Sequence, residues 1–342
     1  MKQLLKYLIS LVVAGGLLWY VFKDIDLDAM LVAIGQADYR PVALYGVLIL
    51  VAHWSRAVRW GLLLEPVVGY RSSATNLTLA VLTGYFANLL IPRMGEVTRC
   101  GTLNRTDDVP VNVSFGTVVA ERIFDVIMLV LLIGLTFVLE FGRLSTFLTE
   151  FLGSKFNLAT LQDNTGLLIG GAVLLVGGAV AAWWLFGRYK DRLMQNPLLS
   201  KIIGFGMGLL EGLLSVRKLR SPGLFLFHTL LIWGMYYATM YVLFFAMPQT
   251  AKLGPLAGLT ILTMGTIGMA APTQGGLGAF NILVGSALAL YGLSPQDGQT
   301  LATLMLLSQW LFVILYGGIS FLIVLAKNRR GVAPVTVEET SR

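Results

Sequence analysis

Six stretches of this chain are long and apolar enough to cross a bilayer: Leu4–Phe22, Tyr39–Leu64, Phe115–Leu139, Gly166–Phe186, Gly223–Ala246 and Leu301–Ala326. A helix rises 1.5 Å per residue, so about 20 apolar residues cover a hydrocarbon core of about 30 Å. Charged residues make up 13% of the sequence, about half the share usual in soluble domains. Core helices of a soluble protein are thereby excluded, and an all-α polytopic membrane protein is expected. Leu4–Phe22 begins beside Lys2 and Lys6 as a signal peptide would, but it outruns a signal h-region and no small-residue cleavage site follows it. It is expected to stay as the first span.

Two further apolar segments are interrupted in the same way. Ser72–Thr106 contains Asn88-Leu-Leu-Ile-Pro92-Arg-Met-Gly95-Glu96, and Leu253–Leu293 contains Ala270-Ala-Pro272-Thr-Gln-Gly275-Gly-Leu-Gly278. Proline removes a backbone donor and clashes with the preceding turn, and glycine lets the chain reverse. Each Pro-x-x-Gly therefore ends one half-helix and starts another, with Pro92, Gly95, Pro272 and Gly278 as the structural breaks. Neither segment has arms that cross comfortably, so both are expected to be re-entrant pairs. Such backbone is tolerated at membrane depth where protein buries it or where it lines a wet cavity, as in transporters.

Lysine and arginine set the orientation. With a cytoplasmic N-terminus, only Lys23, Arg40, Arg143, Lys155 and Lys252 of the 25 basic residues fall outside, which satisfies the positive-inside rule. Clusters at 188–192, 217–220 and 327–330 carry most of the asymmetry and suit anionic lipid. The same assignment makes the chain an inverted-topology repeat. Residues 1–143 give span, span, re-entrant pair, span; 144–163 connect outside, with a surface piece at Ser145–Leu161; 164–330 repeat the series from the other face. Leu198–Leu214 is expected to lie on the cytoplasmic surface, and 331–342 to be a disordered cytoplasmic tail. Both termini are thus expected in the cytoplasm.

Charges within spans are the sharpest functional signal, because each costs about 2.5–3.5 kcal/mol or more at the bilayer centre unless paired or hydrated. Glu121, Arg122 and Asp125 lie three and four residues apart, close enough to share a helix face as one network. The first break adds Arg93, Glu96 and Arg99, with Glu96 and Arg99 spaced as a helical pair. A new helix N-terminus with guanidinium groups suits a phosphate. In the second span His53, Arg56 and Arg59 recur beside Trp54 and Trp60, the pattern of interfacial anchors with snorkelling side chains. Arg56, the deeper arginine, is the candidate there. The second break is uncharged and offers Gln274, Gly275, Gly276 and Asn281. Asn88, just before Pro92, completes the expected substrate-binding set.

Other chemistry finds little support. Cys100 is the sole cysteine, the two histidines lie on different spans, and no Walker lysine accompanies the glycines. Neither a metal nor another cofactor is expected. The net charge of +7 follows membrane orientation, so no nucleic-acid partner is expected.

The motifs Asn88-x-x-x-Pro92-Arg-x-Gly95-Glu96-x-x-Arg99, Glu121-Arg122-x-x-Asp125 and Pro272-x-x-Gly275-Gly-Leu-Gly278, in this order, resemble the lysylphosphatidylglycerol synthase transmembrane, or flippase-like, family. Members look like the flippase portion of the multiple peptide resistance factors, without the appended aminoacyl-transferase domain. The resemblance implies an integral plasma-membrane (inner-membrane) protein of bacterial type that moves a polar lipid between leaflets. Its partner would be a membrane phospholipid, anionic or aminoacylated, or a polyprenyl-phosphate-linked sugar; self-association is left open. Relatives often carry Glu where this chain has Asn281. A membrane-embedded lipid-modifying enzyme, with Glu121 and Asp125 as acid and base, is the second expectation, although no nucleophile accompanies them. A structural membrane subunit is the third.

Overall fold

The computed structural model describes residues 15–16, 18–91, 94–143, 219–271 and 273–330, with backbone alone for Gln274 and 328–330. Pro92, Arg93, Pro272, the fourth span at 166–186 and the surface pieces at 145–161 and 198–214 lie outside them, as do most of Leu4–Phe22 and the tail. Nine α-helices account for most of the described residues, and no strand occurs among them: α1 Leu27–Gly35, α2 Tyr39–Val68, α3 Ala74–Leu90, α4 Gly95–Asp107, α5 Val111–Leu139, α6 Pro222–Val242, α7 Pro255–Ala270, α8 Ala279–Ala289 and α9 Pro295–Arg330. A 3₁₀ turn, Leu243–Ala246, extends α6. The chain is an all-α polytopic membrane protein, with α2, α5, extended α6 and α9 each long and apolar enough to span.

Helix ends follow local chemistry. Asp26 caps α1 through the Ala29 amide at 3.0 Å, and Asp38 caps α2 through Arg40 at 2.9 Å. Proline opens α6 and α7 at the position where its missing N–H costs nothing. Gly69, at φ 83°, closes α2 in the left-handed conformation. Ser294 and Asp297 bond reciprocally at the start of α9.

Two compact units divide the chain: residues 1–122 with 218–342, and residues 123–217. In the first, the long helix α2 contributes side chains to two apolar clusters, one at each half. Its N-terminal half packs Tyr45, Ile49 and Ala52 with Phe244, Ile261, Phe280 and Leu301. Its C-terminal half packs Trp60 and Leu64 with Leu77, Ala80, Cys100 and Leu103. The α3–α4 pair packs on α2 through α3, whereas α7 packs on α6 and α8 on α9, both within the cluster that the N-terminal half of α2 completes. The second unit's described residues, 123–143, continue α5, where Thr136 bonds back to Leu132 and Arg143 pairs with buried Glu140 at 3.2 Å.

Hydrogen bonds mark the two ends of the first unit. At one, Arg220 meets Glu65 at 3.0 Å, Lys327 meets Asn76 at 2.7 Å, and Asp107 accepts from Asn76 at 2.9 Å. At the other, Gln296 bonds Asp26 and the Asp38 amide donates to Ala246. The α3–α4 pair starts and finishes at the first end. The α7–α8 pair has its start beside Tyr291, just after its finish, where the phenol meets Thr260 at 2.7 Å. The breaks at 91–94 and 271–278 therefore fall inside the unit.

The breaks differ in construction. Gly95 does not take a positive φ; it is needed for close approach, because a Cβ there would overlap Asn88 and the Gly84 carbonyl. Gly84 is equally tight, its Cβ position lying 2.8 Å from the Gly95 oxygen. The second break turns through Gly275, Gly276 and Gly278 at φ 60°, 79° and 76°, conformations that L residues rarely adopt.

Candidate functional site

Glu121 is fully buried on α5, and three guanidinium groups converge on it. Arg56 meets Oε1 at 2.9 Å, Arg59 meets Oε1 at 3.3 Å, and Arg99 pairs with Oε2. None of the three arginines is more than 4% exposed. Each also faces an aromatic ring: Arg99 over Trp60 at 4.0 Å, Arg59 over Phe225 at 5.7 Å and Arg56 over Tyr236 at 5.9 Å. Arg59 donates to Thr229 at 3.4 Å, and Trp60 donates to Thr117 at 2.9 Å. The cluster joins α2, α4, α5 and α6.

This arrangement corrects two readings of the sequence. Arg56 and Arg59 do not snorkel to an interface, because α6 covers them and Glu121 supplies the partner. Trp60 is likewise fully buried, whereas Trp54 is 45% exposed. Arg99 and Glu96 do not pair along α4: Arg99 turns to Glu121, and Glu96 lies 3.8 Å from Arg122. Glu121 and Arg122, adjacent in sequence, consequently point to different neighbours. Asp125 is half-buried one turn further along α5, in the second unit.

Arg122 and Glu96 line a cavity of about 430 Å³, within the range of small-molecule sites. Tyr85, Asn88 and Leu89 line it from α3; Met269, Ala270, Ala271, Thr273, Gly275 and Gly276 from α7 and the second break; Gln309, Trp310 and Val313 from α9. Both breaks open on this one space. Their chemistry there is unequal, with Glu96 on the first, facing Arg122 of α5, and glycines, alanines and a hydroxyl on the second. Thr273 is 8% exposed and its hydroxyl has no partner among the described residues. The Trp310 indole donates to the Gly275 carbonyl at 3.4 Å, which ties the second break to α9.

Of the residues expected to bind substrate, Asn88, Glu96, Arg122, Gly275 and Gly276 line this cavity. Asn88 also accepts from the Gly95 amide at 2.6 Å and so braces the first break. Arg56, Arg99 and Glu121 lie in the buried cluster. Asn281 is 1% exposed and bonds Thr303 at 3.1 Å, pinning α8 to α9 outside the cavity. Arg93 and the Gln274 side chain lie outside the described residues. Sequence reasoning missed Tyr85, Gln309 and Trp310. A polar amide at 309 within an uncharged apolar span was the available signal for α9.

Comparison with known proteins agrees with the membrane character of the chain. The pattern of the lysylphosphatidylglycerol synthase TM region matches residues 7–317. A UPF0104 membrane protein of Methanocaldococcus jannaschii is 27% identical over 126 residues, 36% of this chain and 37% of that one. The glycosyltransferase AglD of Haloferax volcanii is 30% identical over 115 residues, 33% of this chain and 18% of that one. The matched stretches therefore span well under half the length of either relative. No solved structure matches the chain.

Proposed function

The chain belongs to the lysylphosphatidylglycerol synthase transmembrane family, and on that footing we propose that it translocates a lipid with a polar headgroup between leaflets. The headgroup enters the 430 Å³ cavity while the acyl chains stay in the bilayer. The observation that carries this reading is the meeting of both helix breaks on one cavity with Arg122 and Glu96 in its wall. A phosphate takes Arg122, whose planar fork matches two of its oxygens. Glu96 takes a cationic group where the headgroup has one, and the Thr273 hydroxyl and break backbone supply further hydrogen bonds. The substrate is an anionic or aminoacylated phospholipid, or a polyprenyl-phosphate-linked sugar.

The buried arginine cluster has a separate role in this scheme. Glu121 neutralises Arg99 and Arg56 and holds α2, α4 and α6 together behind the cavity, so these arginines support the site rather than hold phosphate. The two broken pairs enter the membrane from opposite faces, the α3–α4 end cytoplasmic, and movement of one pair against the other alternates access.

Glycosyl transfer is named for AglD, but the shared stretch covers 18% of that protein; transport without chemical change is the reading taken for this chain. The test is scrambling of fluorescent lipid in proteoliposomes, with mass spectrometry of the lipid before and after. Arg122→Ala removes the phosphate ligand from a side chain 43% exposed, so folded protein persists while headgroup translocation is abolished. Normal transport by that folded variant overturns the assignment, and a chemically altered lipid establishes an enzyme instead.

A further inference from the structure

A second cavity, of about 280 Å³, lies at the end of the first unit marked by Glu65 and Arg220. Trp54 and Val58 of α2, Leu77 of α3 and Leu224 of α6 give it apolar walls, and Arg71 and Ser72 border it where the chain enters α3. Trp54 and Leu224 are 45% and 39% exposed, so the slot opens between apolar side chains on the lipid-facing surface.

Its polar rim is fitted to an anion by three independent features. The first turn of the 17-residue α3 receives no side-chain cap from Ser73, which leaves its N–H groups and the positive end of the helix dipole available. Ser72 is 7% exposed, and its hydroxyl borders the cavity without a hydrogen-bond partner among the described residues. Arg71 is exposed, and no ion pair among the described residues engages it. Of the nearby acids among the described residues, Glu65 pairs with Arg220 at 3.0 Å and Asp107 accepts from the Asn76 amide at 2.9 Å.

We propose that this cavity binds one anionic phospholipid, its phosphate on Arg71, the Ser72 hydroxyl and the first-turn amides of α3, and one acyl chain in the slot past Trp54. A free anion leaves the apolar slot empty. A zwitterionic headgroup adds a cation to a rim whose bordering charge, Arg71, is itself positive. The site is distinct from the transport cavity, and it anchors the start of the arm that carries Gly84 and Asn88.

Tryptophan quenching in nanodiscs tests the site without any transport measurement. Bromine on the acyl chain of a bound lipid quenches Trp54 at contact. In phosphatidylcholine discs, dibrominated phosphatidylglycerol reaches half-maximal quenching at about fivefold lower mole fraction than dibrominated phosphatidylcholine, as expected for one basic residue at an anionic headgroup. Arg71→Ala brings the two curves together. Val58→Phe fills the slot with every charge in place and removes the selectivity as well. Trp54→Phe deletes the selective component of the signal. Coincident curves for the unaltered protein, or selectivity that survives any of the three substitutions, overturn the proposal. Because nothing is transported in this experiment, its failure leaves the reading of the 430 Å³ cavity untouched.

Discussion

Glu121 and its three arginines show how a membrane protein can hold concentrated charge in its interior. Desolvating each ion costs several kcal/mol even after relaxation, and the cost is offset only because carboxylate oxygens and ring faces surround the guanidinium groups. Removing the carboxylate leaves three cations facing one another. Glu121→Gln is therefore expected to lose about 3–5 kcal/mol of stability, read as a large fall in melting temperature in detergent. Arg122→Ala, whose pair with Glu96 is half-exposed, should shift stability by no more than about 1 kcal/mol while transport fails. The contrast separates support from substrate contact. Glu121, Arg122, Glu96 and Arg99 were legible in the sequence as charges that a bilayer would not tolerate alone. Arg59 was not, because its spacing and neighbouring tryptophans fit an interfacial anchor equally well, and only the packing of α6 over α2 distinguishes the two.

The two broken pairs are similar elements built with different backbone devices. In the first, Gly84 and Gly95 let the arms touch backbone to backbone; in the second, a Cβ on Gly268 would lie 2.7 Å from the Phe280 Cα. Backbone cannot yield as a flexible side chain can, so one added methyl forces the arms apart. Gly84→Ala and Gly268→Ala should each cost about 1–3 kcal/mol, whereas Gly101→Ala, inside α4 with nothing near its Cβ position, should stabilise by up to about 1 kcal/mol in the same thermal assay. Both interruptions were legible because proline and glycine act locally, whatever the tertiary context. The sequence could not tell a glycine that turns the chain from one that admits a neighbour. Gly275, Gly276 and Gly278 are of the first kind and Gly95 of the second, although the two Pro-x-x-Gly motifs look alike.

At the scale of the molecule, the membrane orientation is an expectation from charge counting, and the first unit shows which segments share an end. Three segments assigned to the cytoplasm from their basic residues, around Glu65, Arg220 and Lys327, meet at one end through hydrogen bonds of 2.7–3.0 Å. Segments assigned outside, around Asp26, Asp38, Ala246 and Gln296, meet at the other. Packing sorts these segments into the same two groups as the charge rule, and it leaves the side that faces the cytoplasm to measurement. The asymmetry persists when Arg56, Arg59 and Arg99, which lie buried, are left out of the count. Cysteine labelling converts the agreement into a measurement. With the buried Cys100 replaced by Ala, single cysteines at Arg71 and Arg105, before α3 and near the end of α4, should react with an impermeant maleimide only from the cytoplasmic face. One at Lys252, ahead of α7, should react only from the opposite face. Labelling of all three from one side would mean that the pairs do not enter from opposite faces, and alternating access between them would have no structural basis.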